Sequence, residues 1–308
     1  ASVDGDVYPD MYHSRMSCET TQELINLLDK TLQYEQYTMP DPSDLANALL
    51  IAGVDAKYNP MYGQPQVNYA ADNYFNAANG FENVYKYLTE YDGCYDKLNS
   101  GVGMINYTAH GFQTRFSDPR FSTEDVINLT NKDKYFWAMG NCCLTGDWGY
   151  DEPCLGEALI RGNKRGSWGY IGSCPNTFWQ VDYFFAVGIN GSEGVYDALW
   201  QDGSYSSLSS VTYLGNMAVA QGGYYVQYYF EAYHTLGDGS VMPYMAEPTV
   251  NNVSHSSLFP LNQTTFNVSA APGSYVGITK DGVLLGAGLI SETGTADIPV
   301  TSVTTSGE

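Results

Sequence analysis

Long apolar runs alternate with amphipathic stretches over most of this 308-residue chain. Ala48 to Val54 is apolar without interruption and stops at Asp55, as expected of a strand buried on both faces. Val102 to Ala109 is a second run of strand type and ends in His110-Gly111. A third, aromatic run starts at Lys134 and breaks off at Gly140-Asn141, just before Cys142-Cys143; Gly166 to Gly172 is a fourth. Between the runs lie helical patterns. Thr20 and Glu23 have capping-box spacing, and Leu24, Leu27, Leu28 and Leu32 follow at helical intervals up to Pro40. Shorter helices are expected near Glu124–Leu129 and Pro153–Arg161, with long ones from Val181 and from Leu208 to Leu236. Strands alternating with helices predict an α/β fold, a parallel sheet with helices on its faces.

The pattern changes after Tyr244. Glu247-Pro248, Asn251-Asn252 and Pro260 to Gln263 have linker composition, which divides the chain into domains 1–247 and 248–308. In the second, Thr265–Ser269 and Tyr275–Thr279 alternate, and Lys280-Asp281-Gly282 joins the latter to Val283–Leu285 as a hairpin. A β-sandwich tail is expected, but it falls short of the ~100 residues of an immunoglobulin-type domain, so it is read as incomplete.

A net charge of -21 argues against nucleic acid and anionic membrane surfaces, which need clustered Lys and Arg, and favours cationic substrates or divalent cations. No apolar stretch reaches the ~18–20 residues of a membrane span. No signal peptide opens the sequence, so any targeting segment is expected to have been removed or left out. The 6 cysteines are too few for a disulfide scaffold, and Cys18, Cys94, Cys154 and Cys174 read as small core residues.

Cys142-Cys143 and His110 therefore stand at the tips of strand-type segments. In an open α/β sheet, ligands and chemistry collect at the carboxyl ends of the strands. A thiol and an imidazole there are the two parts a cysteine hydrolase needs. Consecutive side chains of an extended segment face opposite ways, and Cys143, the last residue before Leu144-Thr145-Gly146, is the expected nucleophile. Its N–H and that of Gly111 could form an oxyanion hole. Asp55, at another strand end, could orient the imidazole; as a bare sequence feature it could equally be an exposed loop acid.

Asn106-Tyr107-Thr108-Ala109-His110-Gly111, Leu129 to Phe136, Gly140-Asn141-Cys142-Cys143, Gly172-Ser173-Cys174-Pro175-Asn176 and Glu231 to Tyr244 resemble the gingipains, secreted bacterial cysteine endopeptidases with a caspase-like fold. The resemblance runs from about Ser2 to the last strands of the tail and is nearest to the lysine-specific type. It implies a caspase-like, mostly parallel sheet flanked by helices, followed by an immunoglobulin-like β-domain. Residues 1–42 would be the end of a preceding subdomain. It implies Cys143 as nucleophile, His110 as general acid/base and Asp55 as orienting acid. It places Thr108, Asn141, Trp179 and Asp182 around the specificity pocket, where an indole face suits four methylenes and a single carboxylate suits one ammonium. The residues Cys174, Gln180-Val181 and Phe184-Phe185 depart from the family pattern.

By the same resemblance, Asp4, Asp6 and Asp10 with the Tyr8 carbonyl would hold one calcium, and Glu157 with the Trp148 carbonyl would belong to a second. Hard cations take six to eight such oxygens. The reading is a secreted or cell-surface endopeptidase that cleaves after Lys in protein and peptide substrates, with further adhesin domains of the same precursor as partners. The alternatives are an arginine-specific peptidase and a non-catalytic adhesin module on a peptidase fold.

Overall fold

The computed structural model describes residues 8–190, 207–223, 225–244, 247, 248 and 250–305. Packing divides the chain into two units, Ala1–Glu247 and Pro248–Glu308. In the first, the elements in chain order are α1 (Thr21–Glu35), β1 (Asn47–Ala52), α2 (Gln64–Asn73), β2 (Asn83–Tyr87), α3 (Asp96–Ser100) and β3 (Met104–Thr108). Three two-residue strands follow, β4 (Gly111–Phe112), β5 (Arg115–Phe116) and β6 (Phe121–Ser122). Then come α4 (Thr123–Ile127), β7 (Phe136–Asn141), α5 (Leu155–Arg161), β8 (Ser167–Ser173), α6 (Trp179–Asn190), α7 (Leu208–Gly222), α8 (Val226–Ala232) and β9 (Tyr233–Gly237).

The large sheet has six strands in the order β2-β1-β3-β7-β8-β9. All neighbours are parallel except β9, which runs antiparallel to β8. Period-two alternation in β1 divides its apolar side chains between two cores. Ala48, Leu50 and Ala52 pack with Val67, Phe185 and Leu208 on one face, and Leu49 and Ile51 with Leu27, Val126 and Leu155 on the other. The four apolar runs of the sequence are thus the four central strands, covered on both sides by helices. Ala52, Thr108 and Asn141 stand in register across β1, β3 and β7, so the residues just beyond them share one edge.

Two elements differ from the sequence expectation. The helix expected up to Leu236 ends at Gly222, is resumed as α8, and gives way to strand β9 at Tyr233. Tyr229, Ala232, Tyr233 and Leu236 have helical spacing. Pairing decides the matter: Tyr170 faces Leu236 and Gly172 faces His234 across the ladder, which completes the sheet. The edge strand β2, half-exposed and polar, carries no apolar run by which it could have been read.

Helix α1 begins at the expected capping box, with Glu23 N–H on Thr20 Oγ1 and Thr20 N–H on Glu23. It ends at Glu35, before Pro40, because Tyr37 adopts a φ of 52°. Its buried stripe is Leu27, Lys30, Thr31 and Tyr34, whereas Leu32 is 47% exposed. A lysine sits in that stripe because its ammonium donates to the carbonyls of Leu159, Ile160 and Arg165, around the C-terminus of α5. The Leu159 and Ile160 carbonyls belong to the last turn of α5, where helix carbonyls lack an intrahelical partner and a cation meets the negative end of the dipole. Burial pulls the Lys30 ammonium down to about 7.

The second unit contains β10 (Ser254–His255), β11 (Thr265–Ser269), β12 (Tyr275–Lys280), β13 (Val283–Leu289) and β14 (Thr295–Pro299). They form one three-stranded and one two-stranded antiparallel sheet over a small core that includes Val268, Ile290 and Ile298. The hairpin turns where it was expected, with Asp281 and Gly282 at φ 51° and 76°, the left-handed pair that a two-residue type I′ turn requires.

Candidate active site

The C-terminal ends of β1, β3 and β7 gather Asp55, His110 and Cys143. Asp55 Oδ1 accepts the N–H groups of Lys57 and Tyr58, an Asx-type turn that leaves Oδ2 for His110 Nε2 at 2.9 Å. Partial burial pushes the Asp55 carboxyl up, but the Tyr58 N–H, the imidazole and the Lys57 N–H outweigh it and hold the group below its ordinary range. The acid is therefore ionised at neutral pH. With Nε2 donating to it, Nδ1 is the ring nitrogen that can exchange a proton. The His110 backbone is fixed in turn, since its carbonyl accepts from Ser117 N–H and Tyr107 Oη.

The vicinal thiols part company in the bend just past the end of β7. Cys142 is fully buried, its sulfur 3.5 Å from Thr145 Oγ1, and burial pushes its thiol up. Cys143 is half-buried, and its sulfur accepts the Thr177 N–H at 3.2 Å and lies 3.7 Å from both Thr177 Oγ1 and the Thr177 carbonyl. Among the described residues no hydrogen bond joins it to His110. Leu144 follows in the left-handed region at φ 65°, and its N–H is held by the Pro175 carbonyl. A bulky residue there costs about 1–2 kcal/mol, strain that a sharp turn after the thiol requires.

Gly111 comes very close to this turn. A Cβ on it would stand 2.5 Å from the Cys143 carbonyl oxygen and 2.6 Å from Cys142 Sγ, so only glycine fits.

Beside the thiol, β8 leads into α6. Asp182, in the first turn of α6, is buried and forms no ion pair among the described residues. Its Oδ2 accepts from Thr177 Oγ1 at 2.7 Å and its Oδ1 from Tyr233 Oη at 2.8 Å and Tyr229 Oη at 3.0 Å. Desolvation outweighs these three hydroxyls and raises the carboxyl to about 6. Asn141 Nδ2 donates to the Asp182 carbonyl and to Thr108 Oγ1, and Thr108 Oγ1 donates to the buried Gln66. Trp179 begins the helix that carries Asp182, and its ring lies 5.5 Å from His110 and 6.0 Å from Tyr58.

All eight residues expected around the chemistry thus stand at one end of the sheet. Thr177, Tyr229, Tyr233 and Gln66 belong to the same network and were not expected. A threonine before a helix reads as a cap, and the tyrosines read as core. Cys174, the departure from the family pattern, donates to the Gly146 carbonyl, and burial pushes its thiol up to about 12.

For the acidic opening segment, Asp4 and Asp6 lie outside the described residues, while Tyr8 and Asp10 are exposed. Glu157 is buried and already carries a cation. It binds Arg161 Nη2 at 2.7 Å and also accepts from Ser17 Oγ and the Cys154 N–H. That donor set does not fit a divalent ion unless the guanidinium gives way. The Trp148 ring is packed against His234 and Arg15. Among the described residues no cluster of three or more His, Cys, Asp or Glu side chains could hold a metal.

Residues 1–244 match Peptidase family C25. Lys-gingipain of Porphyromonas gingivalis is 45% identical over 98% of this chain, and Gingipain R1 of the same species is 26% identical over 98%. The chain spans 19% of the first of these relatives and 31% of the second. A solved structure described only as a protease superposes with a TM-score of 0.92 at 44% identity, over 99% of this chain and 72% of that one. The crystal structure of the Arg specific cysteine proteinase gingipain R superposes with a TM-score of 0.86 at 24% identity, over 97% and 71% of the two chains. Fold, sheet-edge geometry and sequence agree, and the chain belongs to peptidase family C25.

Proposed function

We propose that this chain is the catalytic part of a cysteine endopeptidase that cleaves after lysine. The observation that carries the reading is Asp182, a buried carboxylate without a cationic partner among the described residues, one residue's reach from a half-buried thiol. Burying a carboxylate unpaired is costly, and a substrate ammonium would relieve that cost. The 45% identity to Lys-gingipain supports the same specificity.

In the mechanism, the Cys143 thiolate attacks the carbonyl carbon after a lysine. The oxyanion that forms is met by the N–H groups of Cys143 and Gly111. His110, kept in orientation by Asp55, passes the thiol's proton to the leaving amine, and the amine departs as the acyl-enzyme forms. The imidazole then takes a proton from water, which attacks the thioester and returns the thiol. Trp179 provides a flat wall for the four methylenes. Thr108 and Asn141 brace the pocket from behind. Three hydroxyls on two carboxylate oxygens leave no paired edge for the planar fork of arginine, which weighs against the arginine reading.

A lysyl chloromethyl ketone is expected to alkylate Cys143 stoichiometrically, with peptide mapping as the readout, and an arginyl analogue to react at least about tenfold more slowly, as the loss of a charge-matched contact implies. Equal rates would favour the arginine-specific alternative. No labelling by either reagent would favour a non-catalytic adhesin.

The two relatives are roughly five and three times longer than this chain, which is in keeping with further adhesin domains on one precursor and a secreted or cell-surface location. No helix of the described residues is long and apolar enough to cross a membrane. The 248–308 unit is read as an immunoglobulin-like module outside the chemistry. Calcium at the opening segment would act structurally, since thiol hydrolysis needs no metal. Exhaustive chelation is then expected to lower Tm by roughly 5–10 °C, as for a ligand lost from a hundredfold excess over Kd. An unchanged melting curve in calorimetry would remove the ion from this reading.

A further inference from the structure

One residue joins the thiol to the pocket acid. The Thr177 N–H donates to Cys143 Sγ at 3.2 Å, and Thr177 Oγ1 donates to Asp182 Oδ2 at 2.7 Å while lying 3.7 Å from the same sulfur. A hydroxyl has a single proton, so it can serve the carboxylate or the sulfur, not both. The other two hydroxyls on Asp182 have alternative acceptors too, but neither of these is the thiol. Tyr229 Oη otherwise meets the Phe178 carbonyl, and Tyr233 Oη otherwise meets Asn141 Oδ1.

The backbone around Thr177 is pinned. The Pro175 carbonyl accepts from Leu144 N–H and Ser173 Oγ, the Cys174 N–H donates to the Ala232 carbonyl, and the Phe178 N–H donates to Tyr229 Oη. With the backbone held, the freedom left to Thr177 is rotation of its side chain.

We propose that Thr177 is a positioning residue that couples an alkylammonium at Asp182 to the reactivity of the Cys143 thiolate. The ammonium brings up to three donors to the carboxylate and displaces the Thr177 hydroxyl from Oδ2. The hydroxyl then turns its proton to Sγ, adding a second donor to the backbone N–H already there. A charge-assisted hydrogen bond favours the thiolate over the thiol. The correct side chain would thereby sharpen the nucleophile that cuts beside it. The inference rests on the reading of Cys143 as nucleophile and Asp182 as pocket acid.

The test uses the full chain and n-butylammonium, which carries the four-carbon chain and charge of a lysine side chain without a peptide bond. Alkylation of Cys143 by iodoacetamide at neutral pH is followed by mass spectrometry with and without the amine, in the wild type, Thr177→Ser and Thr177→Val. Inhibition of lysyl-substrate hydrolysis by the amine is measured in parallel. A saturating amine is expected to speed alkylation about 3–10-fold in the wild type and Thr177→Ser, the effect of one added hydrogen bond of ordinary net strength, and to leave Thr177→Val unchanged. Competitive inhibition without acceleration in the wild type would overturn the coupling and spare the pocket reading. Absence of competitive inhibition would overturn both. Acceleration that persists in Thr177→Val would remove Thr177 from the role. The wild-type comparison keeps the proposal falsifiable even if the valine variant does not fold.

Discussion

Cys143→Ala is expected to lower kcat for a lysyl peptide by about 10⁴–10⁶-fold, while Cys142→Ala stays within about tenfold of the wild type. The contrast between neighbours of the same type comes from the bend just past β7, which leaves one thiol in the core and the other at the sheet edge. Cys142 is fully buried, and its raised thiol would remain protonated at neutral pH, unfit to attack a carbonyl. Cys143 shares its edge with an imidazole already oriented by an ionised carboxylate 2.9 Å away. Losing the Cys142 sulfur removes packing against Gly111 and Thr145, worth about 1 kcal/mol, so that variant should show a lower Tm with activity largely kept. Steady-state kinetics and calorimetry on the two variants separate the outcomes. Full activity in Cys143→Ala would end the assignment, and an inactive but well-folded Cys142→Ala would transfer it.

The parts of this fold that were legible in the sequence are those governed by local pattern. Four mainly apolar runs became the four central strands because strands buried on both faces need mostly side chains of one kind. The residues that stop those runs, Asp55, His110 and Cys143, were legible for the same reason: a polar group at a strand tip is where the sheet meets solvent. Features set by distant partners were not legible. Lys30 looks like a surface lysine of α1 until the carbonyls at the end of α5 are in place. Tyr233 to Leu236 continues a helical period until β8 supplies a ladder. Thr177, Tyr229 and Tyr233 converge on Asp182 from positions up to 51 residues away, and no spacing in the chain announces that meeting.

Asp182→Asn is expected to lower kcat/KM for lysyl substrates by about 2–4 kcal/mol, roughly 30- to 1000-fold, while Tm at pH 7.5 stays at or above the wild-type value. The two effects have one cause. Burial raises the folded-state carboxyl to about 6, above its ordinary value of about 3.9 in an unfolded chain. Between those values the folded protein binds the proton more tightly, so stability falls as pH rises through the interval. The full cost of holding the charge, on the order of 3 kcal/mol, is present at pH 7.5. An amide cannot ionise and escapes that cost, and the hydroxyls of Thr177, Tyr229 and Tyr233 can turn to accept from its NH₂. It also offers nothing to an ammonium, so the loss should appear in kcat/KM. By the same titration, wild-type kcat/KM for lysyl substrates should fall as pH drops through about 6, where Asp182 takes up its proton. Arginyl substrates should gain nothing from the substitution. Kinetics on paired lysyl and arginyl amides, with Tm measured at pH 5 and 7.5, decide the matter. Unchanged kcat/KM would place the specificity elsewhere, and a clear drop in Tm at pH 7.5 would make Asp182 a structural anchor instead of a pocket acid.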